Sequence, residues 1–395
     1  MQIRKTAQAL TLALVPLTFI SCRDNTSKPN TVPIVTTEST GDFYTDSLIK
    51  KLNDKNSEVR ADAVKQLGQT KTPTVVKFLL NALHDEDSVV CENAAAALGN
   101  MKSKEAIQPL IKLALDNNQN NSLKARVIEA LGNIGDESAT EVLCNLLTYS
   151  ITKDHGFYGY LLATALEKIN DERAIPILVS ALIDGGNGSE DAFAKAINSI
   201  GKEEAIQILN GYLSNETNLD NVIKAFGFLE AKETVPTLIP FLNHKNEDVR
   251  RATVQAFINI KDERTIKPLC DRFPLEREHI QREIIEALTE TKSSEAVLPL
   301  IEFINNDSSY VRGDIARALG VLKDKRATET LVNRLKFDDN PLVRMLCAKA
   351  LGKIDDPQAL SALIEVKETL EKYQGNKDFK RVVNEAINYS PNKIK

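Results

Sequence analysis

Val311, Ile315, Ala318, Leu319 and Leu322 fall at i, i+4, i+7, i+8 and i+11. That is the spacing of one apolar helix face, and it predicts a helix over 311–322. A second apolar stretch, AVLPLIEFI (296–304), lies just upstream, and the polar turn NNDSS (305–309) separates the two. The order helix A, polar turn, helix B recurs. Further A helices are predicted at IQPLIKLAL (107–115), VPTLIPFL (235–242) and TETLVNRL (328–335), with turns HDEDS (84–88), NHKNED (243–248) and KFDDNP (336–341). Asp, Asn and Ser in those turns can cap the helix that follows. From B to the next A the chain reads GDES (135–138), KDER (261–264), KDKR (323–326) and DDPQ (355–358). Pro109, Pro176, Pro236, Pro268 and Pro299 sit early in A helices, where missing N–H donors are tolerated.

The pattern has a period. Leu67, Leu98, Leu131, Leu166, Ile197, Phe226, Phe257, Leu288, Leu319 and Leu351 hold one phase of helix B, at steps of 31, 33, 35, 31, 29, 31, 31, 31 and 32 residues. Five copies, LLATALEKI, FAKAINSI, VIKAFGFL, TVQAFINI and IIEALTET, lack the glycine of ALG or move it, yet keep the phase. A hairpin of this size cannot hide the apolar stripes of both helices alone, so neighbours must stack. Adding an opening half at SLIKKL (47–52) and a closing pair at 358–389 predicts an all-α protein, an α-solenoid superhelix of about eleven helical hairpins.

Helix B reads close to VRxxAxxALG, as in VRGDIARALG (311–320) and VRMLCAKALG (343–352). In this the chain resembles the HEAT repeat family, in particular the bacterial HEAT-like class first associated with phycobilisome lyases. The resemblance spans nearly everything after residue 45. It implies that helix B lines the concave side and that function is protein binding, with bilin lyase-like or chaperone activity as the alternative. It also implies that the arginine after Val, present as Arg60, Arg250, Arg312 and Arg344, meets the turn aspartate of a neighbouring unit, with residues such as Asp54, Asp307 and Asp338 in that role. Cys91, Lys124 and Gln281 take that place elsewhere.

Composition fits stacked helices. The 395 residues include no Trp and 5% aromatics, and a net charge of −5 with both signs interspersed argues against nucleic acid as a partner. The first residues, MQIRKTAQALTLALVPLTFISC, have a basic start, a short apolar middle and Ser21 before Cys22. They read as a secretory signal peptide over 1–21, too short for a membrane span. Phe19-Ile20-Ser21-Cys22 resembles the lipobox of bacterial lipoproteins, which implies that Cys22 carries diacylglycerol and becomes the mature N-terminus. Two or three acyl chains anchor stably. Residue 23 is Arg, not the Asp of the enteric inner-membrane retention signal, so the outer membrane is favoured. Residues 22–44, rich in Thr, Ser, Asn and Pro, read as a tether of about 25 Å mean span, and 45–395 as the repeat domain. An envelope location also argues against a bilin lyase, since such lyases act on cytoplasmic proteins.

No catalytic or cofactor-binding set emerges. His84, His155, His244 and His279 are scattered, and none precedes Glu, so the His-Glu pairs of HEAT-repeat deoxyhypusine hydroxylases are missing. HExxH, a P-loop, GxSxG and zinc-type clusters are absent. DGGNGSED (184–191) lacks the calcium-loop order and reads as a turn. Cys91, Cys144, Cys270 and Cys347 lie in separate repeats and read as free thiols. No metal or cofactor is expected, and the protein reads as a non-enzymatic scaffold.

Binding is better sought on the helix B face opposite the stripe, at the positions two and six before each anchor. Over the last four ALG-type units these places supply Arg251, Arg282, Arg317 and Lys349 against the single acid Glu286. Segment 312–353 has ten Lys/Arg and five Asp/Glu, and 184–233 has four and nine. A positive surface of this kind would capture an acidic protein partner. The longest step contains TYSITKDHGFYGY (148–160), in which Phe157 and Tyr160 are candidate contact residues. Leu319→Ala should destabilise its unit by about 2–5 kcal/mol; hydrogen exchange should then quicken in the C-terminal repeats first, and a uniform change along the chain would contradict stacking.

Overall fold

The computed structural model describes residues 42–153, 158–184, 188–372 and 376–391. The chain divides into two compact units between Ser214 and Asn215. The first holds α1 (Phe43–Lys51), α2 (Ser57–Thr70), α3 (Val76–Ala82), α4 (Ser88–Asn100), α5 (Ile107–Leu115), α6 (Asn121–Ile134), α7 (Thr140–Lys153), α8 (Gly159–Ile169), α9 (Ile175–Ile183), α10 (Glu190–Ile200) and α11 (Lys202–Tyr212). The second holds α12 (Leu219–Phe228), α13 (Val235–Leu238), α14 (Glu247–Ile260), α15 (Ile266–Arg272), α16 (Glu278–Glu290), α17 (Val297–Phe303), α18 (Ser309–Leu322), α19 (Thr328–Phe337), α20 (Pro341–Leu351), α21 (Pro357–Lys372) and α22 (Lys377–Tyr389). Odd numbers are A helices and even numbers are B helices. Among the described residues there is no strand.

All ten anchors are 0% exposed, including those of the five irregular copies. Each B helix packs on the next B helix of its unit, and the ALG motif is the contact itself. The glycine after an anchor lies against the alanine before the next: Gly68 on Ala97, Gly99 on Ala130, Gly132 on Ala165, Gly227 on Ala256, Gly320 on Ala350. A methyl group on Gly320 would lie 2.7 Å from the Ala350 Cα. The backbones therefore meet with no room for a side chain. Where Glu167, Asn198, Ile258 or Thr289 replaces the glycine, the period persists because the anchors remain buried; the fifth irregular copy, VIKAFGFL, is corrected, for its Gly227 holds the ALG place. In α2, which has no preceding B helix among the described residues, Gln66 stands in place of the alanine and accepts a hydrogen bond from the Tyr44 hydroxyl at 2.7 Å.

Two sequence expectations shift. The helix expected over 235–242 is α13 followed by a 3-10 turn, Ile239–Asn243. Pro240 has no N–H to give to the carbonyl of Pro236, so the α pattern stops there. The first helix starts at Phe43, two residues inside the span expected as tether, because Asp42 caps it by accepting from the N–H groups of Tyr44 and Thr45. The rest of the tether and the leader lie outside the described residues.

The junctions from B to A, read as polar connections, are a repeated structure. Helix B ends on a left-handed residue, such as Gly135, Asn170, Lys261 or Lys323, whose N–H bonds the carbonyl of the anchor. An aspartate then caps a 3-10 turn that leads into helix A, at Asp136, Asp171, Asp262 and Asp324. In three copies the Arg two residues later folds back onto that aspartate and also donates to a carbonyl of the preceding junction. Arg173 reaches Glu137 at 3.0 Å, Arg264 reaches Lys232 at 2.7 Å, and Arg326 reaches Ser294 at 2.7 Å. The arginine draws the carboxyl of Asp171 down to about 2.

Gly320→Ala should lower stability by about 1–3 kcal/mol through overpacking. Gly211→Ala, where an added methyl meets nothing within 4 Å, should leave stability level or raise it by up to about 1 kcal/mol, as alanine exceeds glycine in a helix. Urea denaturation of both variants checks this, and equal effects would remove the close-approach explanation.

Candidate protein-binding surface

The arginine row is structural. Arg60 donates through Nε and Nη2 to Asp85 at 2.9 and 2.8 Å, and through Nη1 to the carbonyls of Asp54 and Lys55. Arg312 repeats this on Asp338 at 2.9 Å twice, with Nη1 on the carbonyls of Asn306 and Asp307. Arg250 uses Glu276 at 2.6 and 3.2 Å. Each guanidinium thus ties its own A–B turn to the next one. The expectation that Asp54 and Asp307 supply carboxylates is corrected, for they supply carbonyls and the carboxylate comes from one unit further on. The geometry requires it, since Nη1 faces the loop behind the arginine while the bidentate edge faces the loop ahead. Where Gln281 replaces arginine, Asn306 replaces the acid and bonds it at 3.2 Å.

The face opposite the stripe is accessible at most of the expected places. Arg251, Arg282, Arg317 and Lys349 are exposed, whereas Ala61 and Gly313 are buried. The charge balance expected there is corrected by two acids one position further along. Arg251 pairs with Glu283 at 2.7 Å, and Arg282 pairs with Asp314 at 2.6 Å. Arg317 shares Asp314, also at 2.6 Å. Glu283 and Asp314 each lie 32 residues after the arginine they bind and are mostly buried beneath it. Each carboxylate raises the pKa of its arginine. The Arg282 guanidinium also lies over the Tyr310 ring, 5.7 Å from its centroid. The surface is thus a ladder of ion pairs between B helices, with an exposed lysine, Lys349, on the next B helix.

Phe157 lies outside the described residues. Tyr160, on the first turn of α8 in the first unit, is 64% exposed. Tyr158 turns inward, its hydroxyl donating to Asn121 Oδ1 at 2.9 Å, which ties the expanded hairpin to the one before. Cys22 and the rest of the leader also lie outside the described residues.

The four remaining cysteines are free thiols, with Cys91 and Cys347 buried and Cys144 and Cys270 half-buried. Burial pushes Cys91 and Cys270 up to about 11 and Cys144 and Cys347 up to about 12. They are protonated at neutral pH and pack as small apolar groups. Among the described residues, no group of three or more His, Cys, Asp or Glu side chains could hold a metal ion. No helix among them is long and apolar enough to cross a membrane.

Stacked A/B hairpins with buried anchors and paired turn edges define an all-α solenoid. The family model for HEAT repeats matches residues 45–121, 94–155, 215–289, 235–320, 275–339 and 297–372, and that for the PBS lyase HEAT-like repeat matches 160–184. The matches cover more than half of the chain, and the protein belongs to the HEAT repeat family. No curated protein matches the sequence. Among solved structures, a mutant of Kap121p superposes with a TM-score of 0.61 at 13% identity, over 86% of this chain and 44% of that one. Kap121p itself gives 0.57 at 11% identity, over 87% and 45%. This chain therefore spans under half the length of either. Human deoxyhypusine hydroxylase in complex with glycerol is 20% identical over 87% of this chain and 93% of that one, with a TM-score of 0.26. For the two Kap121p structures the likeness is one of fold alone.

Asp338 is buried at 3% exposure against Arg312 at 6%, and Arg312 holds its carboxyl below the usual range against the opposing effect of burial. Asp338→Asn should cost about 1.5–3 kcal/mol near neutral pH, because it takes the buried carboxylate from Arg312 and leaves the exposed Asp339 as its counter-charge. A carboxyl with a depressed folded pKa stabilises above its unfolded value, about 3.9, and loses that contribution as pH falls through the folded value. The gap between wild type and variant should therefore close below about pH 4, as followed by denaturant melts across pH; a constant gap would contradict the ion pair.

Proposed function

We propose that the protein is a non-enzymatic scaffold of a bacterial cell envelope, tethered to a membrane through a lipidated Cys22. On this reading it holds an acidic protein partner on the B-helix face. The observation that carries the reading is the B-helix surface itself: within each unit the B helices pack side by side, and their outward positions remain accessible in successive repeats. HEAT repeats suit protein binding. The tether and anchor rest on the N-terminal sequence alone, with the outer membrane favoured by Arg23. Arg251, Arg282, Arg317, Lys349, Phe157 and Tyr160 are the proposed contacts. The ion-pair ladder refines this set, since Arg251 and Arg282 also serve stacking while Arg317 and Lys349 do not carry it. The match of residues 160–184 to the PBS lyase HEAT-like repeat favours one second reading, a bilin lyase-like or chaperone activity. Covalent bilin absorbance on an incubated acceptor protein would support it.

Arg317→Gln with Lys349→Glu removes two exposed cations, puts no like charge beside Asp314, and leaves the Arg251–Glu283 and Arg282–Asp314 pairs in place. Crosslinking in intact cells followed by mass spectrometry identifies the partner, and this double variant should lower its capture by about tenfold at low salt with an unchanged melting midpoint. Equal recovery would remove the proposed surface. Cys22→Ser should move the protein to the soluble fraction, and retention in the membrane would remove the anchor.

A further inference from the structure

The outward face of the B helices changes character towards the end of the second unit. Nine residues before the anchor the row reads Asp248, His279, Tyr310 and Leu342, and six before it Arg251, Arg282, Gly313 and Met345. In α14 and α16 both places are polar; in α18 and α20, which pack on each other, they are apolar. Tyr310 is 63% exposed and Leu342 55%, and Met345 is half-buried. Gly313 puts no side chain of its own into the row, and Leu346 lies across it, so that a methyl group on Gly313 would come within 2.9 Å of Leu346 Cδ1. The result is an apolar strip that runs from one B helix to the next. Cations rim it. Arg317 shares Asp314 with Arg282, so two guanidinium groups face one carboxylate, and Lys349 is exposed without an ion pair among the described residues. Asp339, three residues before Leu342, is held by Arg312.

We propose that this strip is the docking site for an acidic polypeptide segment that carries bulky apolar residues among its acids. Exposed apolar groups ringed by charge mark binding surfaces, and tyrosine and arginine are among the residues that most often carry interface energy. The Arg282 guanidinium lies over the Tyr310 ring and steadies it as an anchor, while the flexible thioether of Met345 adapts to what it meets. Charge selects the occupant, because a positive rim draws an acidic segment and repels a basic one. Neighbouring helices stand about 9 Å apart, and a polyproline-II chain rises about 9 Å in three residues and returns to the same side. Apolar residues three apart in such a segment therefore match Tyr310 on α18 and Leu342 on α20. This site deepens the reading of an acidic partner, and rests on it, by adding the apolar contact and its place.

The chain has three methionines, Met1, Met101 and Met345, so carbon-13 labelling of the methionine methyls in the full chain reports on the strip directly. The Met345 signal is the one that disappears in Met345→Leu. It should shift saturably with the peptide acetyl-Glu-Glu-Leu-Glu-Glu-Phe-Glu-Glu-amide, while Met101, in the first unit, stays fixed. Tyr310→Ser with Leu342→Ser changes two exposed side chains, should keep the melting midpoint, and should weaken peptide binding about tenfold. That loss should persist at high salt, whereas the loss in Arg317→Gln with Lys349→Glu should shrink as salt screens the charges. Equal binding of a peptide with alanine in place of leucine and phenylalanine would overturn this inference and leave the acidic-partner reading standing. Equal binding of the peptide with glutamine in place of every glutamate would overturn the acidic occupant and count against that reading too. If no peptide moves Met345, the strip is overturned, and capture in cells by the Arg317 and Lys349 variant still decides the reading by itself. A Met345 shift that follows protein concentration, or that appears with phosphatidylglycerol vesicles and not with the peptide, would overturn the inference in favour of a second copy or a lipid surface.

Discussion

The structure depends on the approach of one B helix to the next at the ALG motif. Glycine on one side and alanine on the other bring two backbones together, as at Gly320 and Ala350, and this sets how far apart neighbouring hairpins stand. With that distance fixed, a leucine, isoleucine or phenylalanine beside the contact is sealed completely. Helix A then covers the other side of the same layer. In a stack of this kind each hairpin is stabilised mainly by its neighbours, so energy is local and position along the chain is almost free.

The same spacing explains why the polar ladders exist. Once layers repeat at a constant interval, a side chain that reaches one layer ahead finds the same atoms in every repeat. Three such rows follow: arginine to acid at the A–B turns, Asp-x-Arg at the B–A junctions, and arginine to the acid 32 residues on across the B helices. They satisfy turn carbonyls and carboxylates that would otherwise face solvent or a neighbour unpaired, and they align the layers. Net charge counted along the chain therefore overstates the charge available to a partner. Arg251 and Arg282 are mostly committed within the stack, whereas Lys349 is exposed beyond the ladder. A scaffold reading of the molecule thus turns on the places where its internal pairing is incomplete.

The period, the two helices of each unit and the buried anchors were legible in the sequence, because burial of one helix face imposes a spacing that any order of bulky apolar residues obeys. Even copies without the ALG glycine kept the phase and packed alike. The break at Pro240 was legible in principle, since proline withholds its N–H wherever it sits, but the apolar run across 235–242 masked it. The arginine row was legible as a tie to a neighbouring turn, and Asp338 meets Arg312 as expected; that Asp54 and Asp307 give carbonyls was not, because sequence spacing does not say which edge of a guanidinium faces forward.

What the sequence determined by itself was therefore the unit and its repetition, and with them the family. Which charges are spoken for was decided only by the tertiary structure. Glu283 and Asp314 stand one position from the places counted as outward, and a rotation of about 100° per residue separates a solvent-facing acid from one buried under a neighbour's arginine. That neighbour lies 32 residues away in the chain, and only stacking puts the two side by side.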